Sequence, residues 1–212
     1  MSSPTAVVPS SRAFDPMAVW AGLALWSGVA LVVALSGVVA SLPRPLIPLL
    51  IWSPVLVGVA LYRHSAALRA FVDTVDLRIP VLFHVVRVFF GAAFLVEASA
   101  GRLPSSFAQL AGPGDIVAGL LALPAALLAT RGDKTSRSLL LAWNVLGLVD
   151  ILAVFLSAQR LLLVLRDERF FQAFQRMPFS VLPVLVVPLI LLTHLLVFVR
   201  LRSAGSRSPS AA

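Results

Sequence analysis

The chain has 212 residues, of which 59% are hydrophobic and 12% charged, whereas an ordinary soluble domain carries charge on about a quarter of its residues; the composition excludes a water-soluble globule. The formal net charge of +8 comes from arginines dispersed among connecting segments rather than gathered with aromatics into a patch, so no nucleic-acid partner is expected. There is no cysteine, which removes disulfides, thiolate metal sites and iron–sulfur clusters.

Six apolar stretches carry most of the hydrophobicity: Met17 to Leu42, Leu46 to Tyr62, Ile79 to Ser99, Gly114 to Thr130, Ser138 to Ala158 and Pro178 to Val199. About 20 apolar residues cross a hydrocarbon core of about 30 Å as a helix, and these runs are too long and too continuous for barrel strands. The fold class is therefore all-α, a polytopic transmembrane bundle of about six spanning helices. One domain over residues 17–202 is flanked by tails, 1–16 and 203–212, whose Ser, Pro and Ala content predicts disorder.

The first stretch is too long for a signal-peptide core and is preceded by a single arginine, Arg12, so it is read as a retained first span. Its small residues Ala30, Ala34, Gly37 and Ser41 mark a face suited to close packing. The second stretch contains Pro48 and Pro54 and the fourth Pro124, and kinks or partial re-entry are expected there. Pro183 and Pro188 give the sixth the same expectation.

Two connections have the pattern of short helices lying in the interface. Between the second and third stretches, Leu68, Phe71, Val72 and Val75 recur at helical spacing while Arg69, Asp73 and Asp76 fall elsewhere. Between the fifth and sixth, Leu163, Phe170, Phe171 and Phe174 alternate with Arg166, Asp167, Glu168 and Arg169. With six spans, ten Lys and Arg residues fall on the side of the two termini and six on the other. That bias predicts a bacterial inner (plasma) membrane protein with both termini in the cytoplasm. The lipid bilayer is the expected partner, with room for a homo-oligomer or a membrane-complex partner.

Ionisable side chains inside spans cost about 2.5–3.5 kcal/mol each on insertion scales and normally face the bundle interior, so they are the candidate site. His84 and Arg87 lie three apart on the third span and share a face, and Gly91 continues it. Counted from the charged ends of their spans, His84, Arg87, Asn144 and His194 fall in one layer. Glu97 lies ten residues beyond Arg87, about 15 Å along the axis, and is grouped by depth with Arg102 and Asp115. Asp115, directly after Gly112, Pro113 and Gly114, reads first as a helix N-cap and second as a carboxylate at a cavity mouth. Asp150, on the face of Trp143 and Gly147, falls between these levels, and the whole forms a ladder across the bilayer. Trp26, Trp52 and Trp143 are assigned to packing and Trp20 to an interfacial belt.

The function placed first is a non-enzymatic accessory, assembly or sensory membrane protein. The alternative is a conduit for a proton, ion or small solute through inward-facing Arg87, Asp150 and His194. A second alternative is a b-type cytochrome whose haem b iron is held by His84 and His194. None of HExxH, GxSxG or GxGxxG accompanies the carboxylates, so the reading leans away from an enzyme. The only lysine, Lys134, lies in a connection, which excludes a retinal Schiff base.

Overall fold

The computed structural model describes residues 15–205; the proposed tails, with Arg12 and Arg207, lie almost wholly outside that range. Among the described residues there are helices and no strands. Six helical segments are long and apolar enough to cross a membrane: Pro16–Leu35, Arg44–His64, Arg78–Ser99, Ser105–Leu128, Lys134–Val164 and Leu182–Ser203.

Helix α1 (Pro16–Leu35) starts where Asp15 accepts from the Met17 amide and Pro16 supplies the first turn. It ends seven residues before the predicted Leu42. Ser36 accepts from the Val38 amide, and Gly37 takes a left-handed φ of 77° that side chains resist. A single turn, α2 (Val38–Ser41), follows. A 3₁₀ turn (Arg44–Leu46) leads into α3 (Ile47–His64), in which Pro48 occupies the first turn and Pro54 the interior without ending the helix. The short helix α4 (Ala66–Thr74), capped by Ser65, buries Phe71 and Val72 as its periodicity requires.

The third span is divided. Helix α5 (Arg78–Phe83) and helix α6 (Val86–Ser99) meet at His84 and Val85, where the amides of His84, Val85, Arg87 and Val88 each bond the carbonyl three residues back. Such 3₁₀ winding eclipses residues three apart and sets the Arg87 side chain over that of His84.

Helix α7 (Ser105–Leu128) lies between α6 and α8 and packs along both. It corrects the fourth predicted span: it begins nine residues earlier, runs unbroken through Gly112, Pro113, Gly114 and Pro124, and shows no re-entry. Helix α8 (Lys134–Gln159) begins at Asp133, whose carboxylate accepts from the Ser136 amide; that bond holds the Asp133 carboxyl below its ordinary value. It continues into a π-helical turn (Arg160–Val164). Asp167 caps α9 (Glu168–Phe174), and a second π-helical turn (Leu182–Val186) opens α10 (Val187–Gly205). The sixth stretch thus departs from α geometry as expected, but the second and fourth stay continuous, and the third carries the tight turn instead.

The connections define two ends of the bundle. On the α4 side, Arg200 donates to the carbonyls of Val72 and Val75, 2.8 and 2.9 Å away, and Val81, Ala122, Ala125, Ala126, Leu140, Trp143 and Val197 form a dense apolar layer. On the α9 side lies a larger cluster that includes Phe90, Phe94, Phe107, Phe170 and Phe179. Ala30 and Ala34 are the buried residues of α1, which packs on the π-helical turn at Leu182–Val186 and on α4.

Candidate functional site

Midway between these ends, three helices converge on one guanidinium. Arg87 of α6 is 1% exposed; its Nε donates to Asp115 Oδ1 of α7 at 2.7 Å, its Nη1 to the Gly147 carbonyl of α8 at 3.1 Å, and its Nη2 to Asp150 Oδ2, also of α8. The Asp115 side chain is 6% exposed and that of Asp150 23%. Arg87 keeps its charge wherever it is placed. Two ionised carboxylates against it leave the cluster one negative charge in excess, unless a proton or cation completes it.

Glycines make the convergence possible. A Cβ on Gly114 would stand 1.9 Å from Asp150 Oδ1, and one on Gly147 would stand 2.8 Å from His194 Cε1 and 3.4 Å from Arg87 Nη1. These two positions are therefore closed to any side chain while the cluster is assembled. The sequence treats Gly114 as a chain break; its use is space on a continuous helix.

Directly toward the α4 side lie the histidines, both fully buried. His84 Nε2 is 3.0 Å from Thr193 Oγ1, which gives its own hydrogen to the carbonyl of Leu189 or Ile190. The hydroxyl oxygen therefore accepts, and His84 carries its proton on Nε2. Asn144 Nδ2 donates to the His194 carbonyl, so Asn144 Oδ1 accepts from His194 Nδ1 at 2.9 Å. His84 Nδ1 and His194 Nε2 are left without a hydrogen-bond partner among the described residues. Each ring thus turns one nitrogen without a close partner into the bundle. The ring centroids stand 4.4 Å apart, and Trp143 packs edge-on against His84 while donating to the Ala118 carbonyl at 3.1 Å.

The structure groups His84, Arg87, Asn144 and His194 as the depth count does, and adds Asp150. It corrects Asp115 on two points. Asp115 lies inside α7, ten residues past its start, and is no N-cap; it pairs with Arg87 and does not stand with Glu97. Glu97 instead forms a two-pronged pair with Arg102, 2.6 and 2.7 Å, at the exposed α9 side. The three-level ladder is thus one buried cluster and one separate surface pair. Thr193 and Gly114 are contributors that the sequence reading passes over. A hydroxyl next to His194 in an otherwise aliphatic run is a usable signal for the first, while only packing identifies the second.

The histidines do not fit the haem reading. An iron between two axial nitrogens takes bonds of about 2 Å on each side, which keeps the nitrogens about 4 Å apart and the ring centres further still. Centroids at 4.4 Å, with His84 Nε2 and His194 Nδ1 already engaged, leave no room for a porphyrin between the rings. Among the described residues no group of three or more His, Asp and Glu is arranged to hold a metal ion.

From Arg87 and Asp115 a chamber extends toward the α9 side. It holds about 70 Å³ of space for the centre of a water molecule, where roughly 10–15 Å³ suffices for one. Its walls are aliphatic and aromatic apart from Arg87, Asp115, Gln159 and Gln175, and Phe170, Phe171 and Phe174 of α9 close its outer end. The cluster is therefore approached through an apolar passage on one side and sealed by the layer around Val81, Leu140 and Val197 on the other.

No curated protein and no solved structure matches the chain. A family model described as a domain of unknown function (DUF8737) matches residues 44–202, a range that leaves out α1 and contains every residue of the cluster. The chain belongs to that family.

Proposed function

We propose that the protein spans the bacterial inner membrane with both termini cytoplasmic and passes protons through the Arg87–Asp115–Asp150 cluster and the adjacent histidine pair. The orientation is supported by the Lys and Arg bias of the connections. The observation that carries the function is geometric: two carboxylates from two helices meet one guanidinium at a depth where each ion is costly. A purely structural contact needs neither the excess carboxylate nor the charge, since a buried ion pair often adds less stability than apolar residues of the same volume. An excess carboxylate is a place for an exchangeable proton. The unpartnered nitrogens of His194 and His84 are the next proton sites toward the α4 side.

A second reading has its own support. The Nε, Nη1 and Nη2 atoms of Arg87 are all engaged and the α4 side is sealed, as suits an accessory protein in which the cluster clamps α6, α7 and α8 together. Reconstitution separates the two. Liposomes carrying the purified protein, an internal pH dye and an imposed potassium diffusion potential should acidify faster than empty ones, and Asp150→Asn and His194→Ala should abolish the excess. Flux equal to empty liposomes over a range of external pH would refute the conduit and leave the clamp.

A further inference from the structure

The outer end of the chamber adjoins a second pocket, and the two share a wall. The second is open and lined by Arg44, Pro45, Leu162, Leu163 and Arg166, and Leu162 also lines the chamber. Arg44 pairs with Glu168 of α9 and lies 4.6 Å over the Phe171 ring, while Gln175 donates to the Ala40 carbonyl at 3.1 Å. Helix α9 is thereby fastened at both ends across the chamber mouth. Just inside, Gln159 Oε1 is buried on the chamber wall with no hydrogen-bond partner among the described residues. Further in, the wall residues of α8 descend a turn at a time, through Phe155 and Val154 to Ile151. From Leu162 to Ile151 the rise is about 16 Å.

An anion site, a bare acceptor and an apolar passage thus follow one another from the surface inward. We propose that they bind one molecule of a single-chain anionic phospholipid. Its phosphate lies between Arg44 and Arg166, a free glycerol hydroxyl donates to Gln159 Oε1, and its hydrocarbon chain runs past Leu162 toward Ile151. The phosphate competes with Glu168 for Arg44, so binding releases one fastening of α9 and lets the chain enter beneath it. A hydrocarbon chain suits the walls better than water, which needs two to four polar partners. The proposal does not depend on proton conduction; the chamber that takes the chain ends at Arg87 and Asp115, so a bound chain would close that approach to the cluster.

The test uses the detergent-purified full chain and lauroyl lysophosphatidic acid brominated on its chain. Trp52, edge-on to Phe155 at 5.5 Å, is the reporter. Saturable quenching of tryptophan fluorescence is expected, weakened about tenfold in Arg44→Gln/Arg166→Gln and in Gln159→Leu, and lost in Ala158→Phe, which fills the chamber. The brominated phosphocholine analogue should bind about tenfold more weakly, and inorganic phosphate should neither raise the unfolding temperature nor displace the lipid. Quenching unchanged in both Ala158→Phe and Gln159→Leu means ordinary surrounding lipid and overturns the proposal. Stabilisation by inorganic phosphate equal to that by the lipid reduces the site to a free-anion site and overturns it too.

Discussion

Arg87 and Arg102 each bind carboxylate oxygens at hydrogen-bond distance, yet the two groupings have opposite consequences. Arg102 and Glu97 sit five residues apart at an exposed helix end, where solvent and salt weaken their attraction and either partner is readily rehydrated. Arg87 gathers its partners from two other helices in a largely buried position, where a group left alone is poorly hydrated. The same chemistry is a local surface contact in one place and a tie between three helices in the other. What differs is the price of removing one member.

The strongest way to break that contrast is Arg87→Leu, which strands Asp115 and Asp150. Loss of one partner of a buried ion pair costs about 3–5 kcal/mol, and unfolding in mixed detergent–SDS should report a destabilisation of that size. Gly114→Ala should rank next, at about 1–3 kcal/mol of overpacking, because its methyl group meets the Asp150 carboxylate; Gly147→Ala should act in the same direction against His194. A sharper comparison comes from Arg87→Met/Asp115→Leu/Asp150→Leu, in which no charge is stranded. Its stability should return to within about 1 kcal/mol of the parent chain, while the proton flux stays absent. A triple variant as unstable as Arg87→Leu would show that the charges themselves hold the helices. Arg102→Gln should leave the unfolding curve where it is.

A local effect concerns pH. The Asp133 carboxyl is held below its ordinary value of 3.8 by the Ser136 amide, so the charged cap contributes its full stability above that value and loses it as the pH falls through the lowered one. Protection of the Ser136 amide, its exchange rate relative to that of an unstructured amide at the same pH, should fall in that acidic window in the parent chain and should be low throughout in Asp133→Ala.

How far the sequence alone reaches is visible in the same residues. Hydropathy and length suffice for the six long helices, and helical periodicity for α4 and α9, because each depends on residues close in the chain. The layer of His84, Arg87, Asn144 and His194 is legible by counting depth from charged helix ends. Asp115 is not, because Gly112, Pro113 and Gly114 satisfy a local rule for a break, while neighbouring helices want small residues at those positions so that they can approach. The tight turn at His84 is equally hidden: the third stretch has one proline, Pro80, but it stands in the first turn of α5 and not at the turn itself, and the expected interruptions fall on the second, fourth and sixth stretches instead. Side-chain reach across helices, which joins Asp150 to Arg87, is a property of packing and has no trace in spacing along one chain.

The depth of the cluster has an electrical meaning. Arg87, Asp115 and Asp150 each lie close to the middle of their segments, Arg78–Ser99, Ser105–Leu128 and Lys134–Val164. Moving one elementary charge across a full membrane potential of 100 mV is worth about 2.3 kcal/mol; with the segments spanning a bilayer as proposed, a proton that reached the cluster through the chamber would cross roughly half the field and gain or lose about 1 kcal/mol. Occupancy of the excess carboxylate would then change about sixfold per 100 mV, making the membrane voltage itself a ligand of the site.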